Sequence, residues 1–125
     1  MIDHLSVPVR DLAKSKAFYA HALAPLGYVQ LHEYPGVAAF GADGIPDFWI
    51  VEQENANGTL HVALRARARQ AVHDFHREAL AAGGKDNGAP GPRPHYTPTC
   101  YAAFVFDPDG HNLEVVTHEA EGASR

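Results

Sequence analysis

Ile2-Asp3-His4-Leu5-Ser6-Val7-Pro8-Val9 opens the chain, and His61-Val62-Ala63-Leu64-Arg65-Ala66 repeats its pattern half a chain later. In the first stretch Leu5, Val7 and Val9 share one face of an extended strand, while His4, Ser6 and Pro8 share the other. In the second, Val62, Leu64 and Ala66 are the apolar face, and His61 opens the opposite one with Ala63 and Arg65. Laying His4 on His61 also lays Phe18 on Phe75, Ala22-Leu23-Ala24 on Ala79-Leu80-Ala81, and Gly27 on Gly84, with no gap. Matches at a strand start, a helix face and a helix end indicate one supersecondary unit used twice.

Working outward, each strand leads into a helix. Asp11 is a natural N-cap, and Leu12, Ser15, Tyr19, Ala22, Leu23 and Leu26 recur at helical spacing until Pro25 and Gly27 stop the run. Ala68, Val72, Phe75, Ala79 and Leu80 make the echoing stripe, which ends at Gly83-Gly84. Strand-like pieces follow the first helix at about 28–34, 37–41 and 48–52, punctuated by Pro35-Gly36 and Asp43-Gly44-Ile45-Pro46. After the second come a weak piece near Lys85 and strands at about 99–106 and 112–118, the last two joined by the turn Asp107-Pro108-Asp109-Gly110. The halves read as βαβββ twice, module one about 1–56 and module two about 57–118, with a short tail at 119–125.

The 125 residues suit a single domain, and 46% hydrophobic against 20% charged residues is enough for a core. Ten Lys+Arg against fifteen Asp+Glu leave a formal charge of −5, the wrong sign for a phosphate backbone, so nucleic acid is not an expected partner. The single cysteine, Cys100, forms no intrachain disulfide and fits a reducing compartment, so the expected location is cytoplasmic. Charges at Asp3, Arg10, Asp11, Lys14 and Lys16 interrupt any leader-like run, and no stretch approaches the ~20 apolar residues of a membrane span.

Nine histidines are the unusual count. If the modules pack around a common cleft, the repeat brings His4 and His61 to equivalent positions. Glu114 arrives from the last strand, on the face opposite Leu113 and Val115. Two imidazoles and a carboxylate on rigid strands make a facial set for a divalent metal. The same three groups could instead hydrogen-bond one another without metal. Trp49 is a large wall for a planar ligand or a filler of the cleft. The connection 87–98, with four prolines and two glycines, reads as a semi-rigid loop. Arg93, His95, Tyr96 and, just beyond it, Tyr101 are its candidates for gripping a ligand and moving a proton. His73 and His76 read as a solvated helix face beside Asp74 and Glu78, and His111 as a residue that shapes the final hairpin.

Asp3-His4-Leu5-Ser6-Val7 with Asp11-Leu12, Ser15 and Phe18-Tyr19, together with the closing Phe106-Asp107-Pro108-Asp109-Gly110-His111-Asn112-Leu113-Glu114, resembles the vicinal oxygen chelate superfamily. This group includes glyoxalase I, extradiol dioxygenases, fosfomycin-resistance thiol transferases and bleomycin-binding proteins. The resemblance implies an α+β fold of two paired βαβββ modules forming a half-open, barrel-like mixed sheet around a cleft. It implies His4, His61 and Glu114 as ligands of Fe²⁺, Mn²⁺, Zn²⁺ or Ni²⁺; beside them, His95, Tyr96 and Tyr101 stand as the candidate catalytic groups read from the residues, and Trp49 and Arg93 as the candidate substrate contacts. It also implies a small-molecule substrate and a homodimer. Glyoxalase I places a second glutamate where Trp49 stands, and an indole has no lone pair for a metal, so methylglyoxal chemistry is not expected. The expected activity is a metal-dependent lyase, isomerase or dioxygenase; the alternative is a metal-free binder holding its ligand against Trp49, Tyr96 and Tyr101.

Overall fold

Alternation of apolar and polar residues resolves into eight strands and two helices in a computed structural model describing residues 1–120; the rest of the expected tail lies outside the described residues. The order is β1 (Leu5–Val9), α1 (Leu12–Ala22), β2 (Val29–Tyr34), β3 (Val37–Ala42), β4 (Ile45–Glu52), β5 (His61–Arg65), α2 (Arg69–Ala81), β6 (Lys85–Pro92), β7 (Tyr101–Phe106) and β8 (Asn112–Thr117). Two four-stranded mixed sheets result, ordered β1-β4-β3-β2 and β5-β8-β7-β6. In each, the first strand runs parallel to the fourth and the remaining neighbours are antiparallel. No ladder joins the two sheets among the described residues. No described helix is long and apolar enough to cross a membrane.

The helix boundaries follow local chemistry. The Asp11 carboxylate accepts from Lys14 N at 3.1 Å and Glu52 Oε2 accepts from Leu12 N at 2.9 Å, so two otherwise unpaired N–H groups at the start of α1 are satisfied. A 3₁₀ turn at Ala24–Leu26 follows, and Gly27 leaves it at φ 81°. Glu52, at the end of β4, is occupied as a helix cap.

Both sheets turn their apolar faces toward one shared core. Val7, Val9, Phe18, Tyr19, Phe40, Phe48 and Ile50 of the first half form a single buried cluster with Val72, Phe75, Val105, Leu113 and Val115 of the second. Each helix covers its own sheet, and α1 also packs on α2. Because the helix-covered faces meet in this core, the opposite faces, bearing Ser6 and Trp49 on one sheet and Ala63 and Glu114 on the other, turn away from it.

Gly84 shows how tight the join is. A Cβ there would sit 2.5 Å from Val105 Cγ1, 2.8 Å from Phe18 Cε1 and 2.9 Å from Ala79 O. Gly84 falls on Gly27 in the sequence repeat, but the positive φ ending α2 belongs to Gly83; Gly84 serves close packing between the halves. Gly84→Ala is expected to destabilise by about 1–3 kcal/mol through overpacking. Urea unfolding with an unchanged midpoint would refute this.

The 87–98 segment departs from its expectation as a loop. Residues 85–92 form β6, paired with β7 from Lys85↔Phe106 to Pro92↔Tyr101, with register shifts at Asp86/Gly88 and Gly88/Gly91. Pro90 and Pro92 are tolerated because β6 is an edge strand, where a missing N–H need not break a ladder, and its glycines absorb the bulges. Only the stretch between β6 and β7 remains a loop.

The closing turn does more than reverse the chain. Asp107 Oδ1 accepts from the backbone N of Asp109 (2.9 Å) and His111 (2.8 Å), while Oδ2 accepts the Tyr19 hydroxyl of α1 at 2.5 Å. Asp109 accepts from Arg10 N at 3.0 Å and from Ser15 Oγ at 3.3 Å. Buried His111 accepts from Leu60 N on Nδ1 (3.0 Å) and donates from Nε2 to Pro8 O (2.7 Å). The hairpin therefore bolts the second half onto α1 and β1 of the first.

Candidate functional site

His61 begins β5 and Glu114 lies in the middle of neighbouring β8, where Ala63 pairs with Glu114. Their side chains meet on the face away from the core, His61 Nε2 lying 2.7 Å from Glu114 Oε1. His61 is exposed, whereas the Glu114 side chain is only 12% accessible. Among the described residues no lysine or arginine pairs with Glu114, so this nearly buried carboxylate has the imidazole as its charge-stabilising neighbour. Phe104, directly opposite Glu114 on β7, walls the pair, its ring centroid 6.3 Å from that of His61. Burial first, and the Glu114 charge second, push the nearby Cys100 thiol up from its ordinary pKa.

His4 belongs to the other sheet's outer side. Its Nδ1 donates to Asp3 at 2.7 Å, and its ring lies 6.2 Å from that of Trp49. Among the described residues no group of three metal-competent side chains is gathered. Two of the three expected ligands are thus side by side, and the third stands on the other half of the molecule.

Trp49 is held by a hydrogen bond from Nε1 to Pro46 O at 3.0 Å, which sets its ring on the outer face of the first sheet. His32 stacks on it at 6.1 Å with 24° between planes, and Tyr34 stacks on His32 at 5.9 Å with 18°. Sequence reading missed His32 and Tyr34. Their alternation was visible, but a bulge between Gln30 and His32 sets which face they take.

The remaining candidates separate. The Arg93 guanidinium is engaged by the carbonyls of Ala89 (3.0 Å), Gly91 (2.8 Å) and Pro92 (3.3 Å), and lies 5.4 Å from the Phe104 ring centre. It staples the bulged β6 instead of reaching toward a ligand. Tyr101 alternates with the core residues Ala103 and Val105 and turns toward α2, where its hydroxyl shares a 2.6 Å hydrogen bond with His73 Nε2 and Arg69 lies over its ring. That is the face opposite Glu114. His73 is exposed and His76 half-buried on α2, where His76 Nε2 donates to Asp86 at 2.9 Å. His95 and Tyr96 remain exposed on the loop between β6 and β7, ring to ring at 4.3 Å.

Two concavities of about 320 and 520 Å³ lie where the halves meet, one lined by Arg65, Arg67 and the β3–β4 turn, the other by Lys14, Lys85 and the closing turn. Neither includes His61 or Glu114. The donor pair lies on an open sheet face.

The sequence model of the Glyoxalase/Bleomycin resistance protein/Dioxygenase superfamily matches residues 1–115. No curated protein matches the chain in sequence. Among solved structures, a glyoxalase/bleomycin resistance protein from Albidiferax ferrireducens is 25% identical at a TM-score of 0.83, the match covering 94% of this chain and 98% of that one. A glyoxalase/bleomycin resistance protein/dioxygenase family enzyme from Burkholderia phytofirmans shares the fold at 17% identity and a TM-score of 0.74, again over 94% and 98%. An E144Q mutant of glyoxalase I from Zea mays is 25% identical at a TM-score of 0.69, over 92% of this chain and 46% of that longer one. With its paired βαβββ halves and this match over nearly all of its length, the chain belongs to the glyoxalase/bleomycin resistance protein/dioxygenase superfamily.

Proposed function

We propose that the chain works as one domain of a metal-dependent enzyme acting on a small substrate through vicinal oxygens, with His61 and Glu114 as the pre-assembled half of the metal site. The observation that carries this reading is the 2.7 Å approach of His61 Nε2 to Glu114 Oε1 on an open sheet face. An imidazole nitrogen and a carboxylate oxygen converging on one shared proton are a donor set that a divalent cation satisfies by displacing that proton. His4 is the third ligand. The ion, Fe²⁺, Mn²⁺, Zn²⁺ or Ni²⁺, supplies Lewis acidity toward the substrate's oxygens when bound. Glu114 contributes the negative charge, Phe104 and Trp49 exclude water at the walls, and His95 and Tyr96 on the exposed loop are the groups assigned to proton exchange.

The placement of His4 supports a homodimer. The donor-bearing faces of both sheets turn away from the shared core, so a second copy is what sets the His4 face of one chain against the His61–Glu114 face of the other. The competing reading is a metal-free binder, favoured by the fact that His61 and Glu114 already satisfy each other.

Metal analysis of protein purified without chelator or nickel resin, with melting of wild type and Glu114→Gln, separates the two. The enzyme reading expects close to stoichiometric metal and a chelator-induced fall in the wild-type Tm, about 2–3 kcal/mol of lost stabilisation for metal held at ~100-fold over its Kd. Glu114→Gln should lose both the metal and the response to chelator while the apo fold holds. A wild type with less than about a tenth of a metal per chain and indifferent to chelator, beside a Gln variant weaker by roughly 1–3 kcal/mol, assigns Glu114 a structural hydrogen bond instead.

A further inference from the structure

Ala39 lies in the middle of β3, paired with Trp49 on β4 and with His32 on β2, so the three residues stand in one row across the outer face of the first sheet. Ala39 is outside the core cluster, yet its exposure is 0%. The two large neighbours roof it: their ring centroids come within 6.1 Å of each other although their strands are separated by β3. A longer side chain at residue 39 would hold them apart. Tyr34, two residues along β2, extends the run of near-parallel rings and is 52% exposed. At the other end the His4 ring meets Trp49 at 6.2 Å. A run of rings on an open face, flanked in the next row by Val37 and Val51, is a surface for flat, unsaturated groups, since π-faces gain from stacking beyond simple area burial.

We propose that Trp49, His32 and Tyr34 form a recognition wall that selects a substrate carrying a planar aromatic ring, with Ala39 as the small residue that lets the wall close. This rests on the metal reading only for its orientation: the contact of His4 with Trp49 would put the oxygen-bearing end of the ring at the metal and the remainder along the wall. Recognition of the ring itself belongs to the wall and needs no metal.

Naphthalene-2,3-diol and its saturated counterpart decahydronaphthalene-2,3-diol carry vicinal oxygens on the same carbon frame and differ in flatness, unsaturation and hydroxyl acidity; the chelated arm, with no metal to read that acidity, isolates the ring. Isothermal titration of both into the full chain, after chelator treatment and again with Zn²⁺, is the test. The aromatic diol is expected to bind roughly tenfold or more tightly than the saturated one in both states, as two or three ring contacts supply. Ala39→Leu and Trp49→Ala should each bring that ratio to about twofold or less. His32→Ser, at an exposed position, gives the same readout if the Trp49 variant does not fold. Equal binding of the two diols by the chelated wild type, or a ratio unchanged in Ala39→Leu and His32→Ser, overturns the proposal. Failure of the metal reading is seen separately, as a Zn²⁺ arm indistinguishable from the chelated arm while the aromatic preference persists.

Discussion

Co-expressed His4→Ala and Glu114→Gln chains are expected to recover about a quarter of the wild-type metal content that neither variant holds alone, because random pairing makes about half the dimers mixed and each mixed dimer has one intact site. The arithmetic follows from placing His4 on one sheet and the His61–Glu114 pair on the other, with their outer faces directed away from a common core. If a ligand set is completed between two copies, one site of a mixed dimer takes its His4 from the Glu114→Gln chain and its Glu114 from the His4→Ala chain. The other site carries both defects. If instead each chain folds His4 onto its own Glu114, every site in the mixture is damaged and no metal returns. Metal-to-protein ratio on the separated mixed dimer decides the matter, and a ratio no higher than that of the single variants would sink the two-copy site.

Asp107→Ala, at a buried position, is expected to cost about 3–4 kcal/mol, the sum expected when several buried donors lose one charged acceptor. The carboxylate receives the Tyr19 hydroxyl of the first half and the Asp109 and His111 N–H groups of the turn, so the turn and the join between the halves depend on it together. Tyr19→Phe removes only the join, and about 1.5–3 kcal/mol is expected for it. A double-mutant cycle by urea denaturation should show strong coupling between the two; additive losses would mean that turn and join act independently. Burial, reinforced by Asp107, raises the Tyr19 pKa well above its ordinary value. Burial and Asp47 likewise push Tyr28 up to about 12. Both phenols stay protonated in the fold beyond the pH at which they ionise when unfolded. Their stabilisation is therefore complete below pH ~10 and lost as pH rises through the folded values. Tyr19→Phe should flatten that alkaline decline.

What the amino-acid sequence determined by itself was whatever rests on local chemistry or short period. The two βαβββ halves follow from the His4-to-Val9 and His61-to-Ala66 alternations, from Asp11 at the start of a helical stripe, and from the Asp107–Gly110 turn; each of these works within a few residues. The outward direction of Glu114 was legible for the same reason, since Leu113 and Val115 on either side had to face the core. The sequence shows only the start of β6, a weak piece near Lys85, because the prolines and glycines from residue 87 onward argue against a strand. Only the partner strand β7 on one side and open solvent on the other make that composition tolerable.

Tertiary structure decided what depends on register and on which faces meet. The bulge between Gln30 and His32 breaks the two-residue period, so Gln30 pairs with core-facing Phe40 and His32 with outer-facing Ala39. A strict alternation would have put both on one face, and the ring wall would not exist. The equivalence of His4 and His61 in sequence likewise did not place them together, because a repeat specifies two similar units and leaves open which surfaces of those units join. Here Phe18, Tyr19, Phe75 and Val105 join the helix-covered faces, since that is where most of the apolar area lies to be buried, and the histidine-bearing faces are left open to solvent.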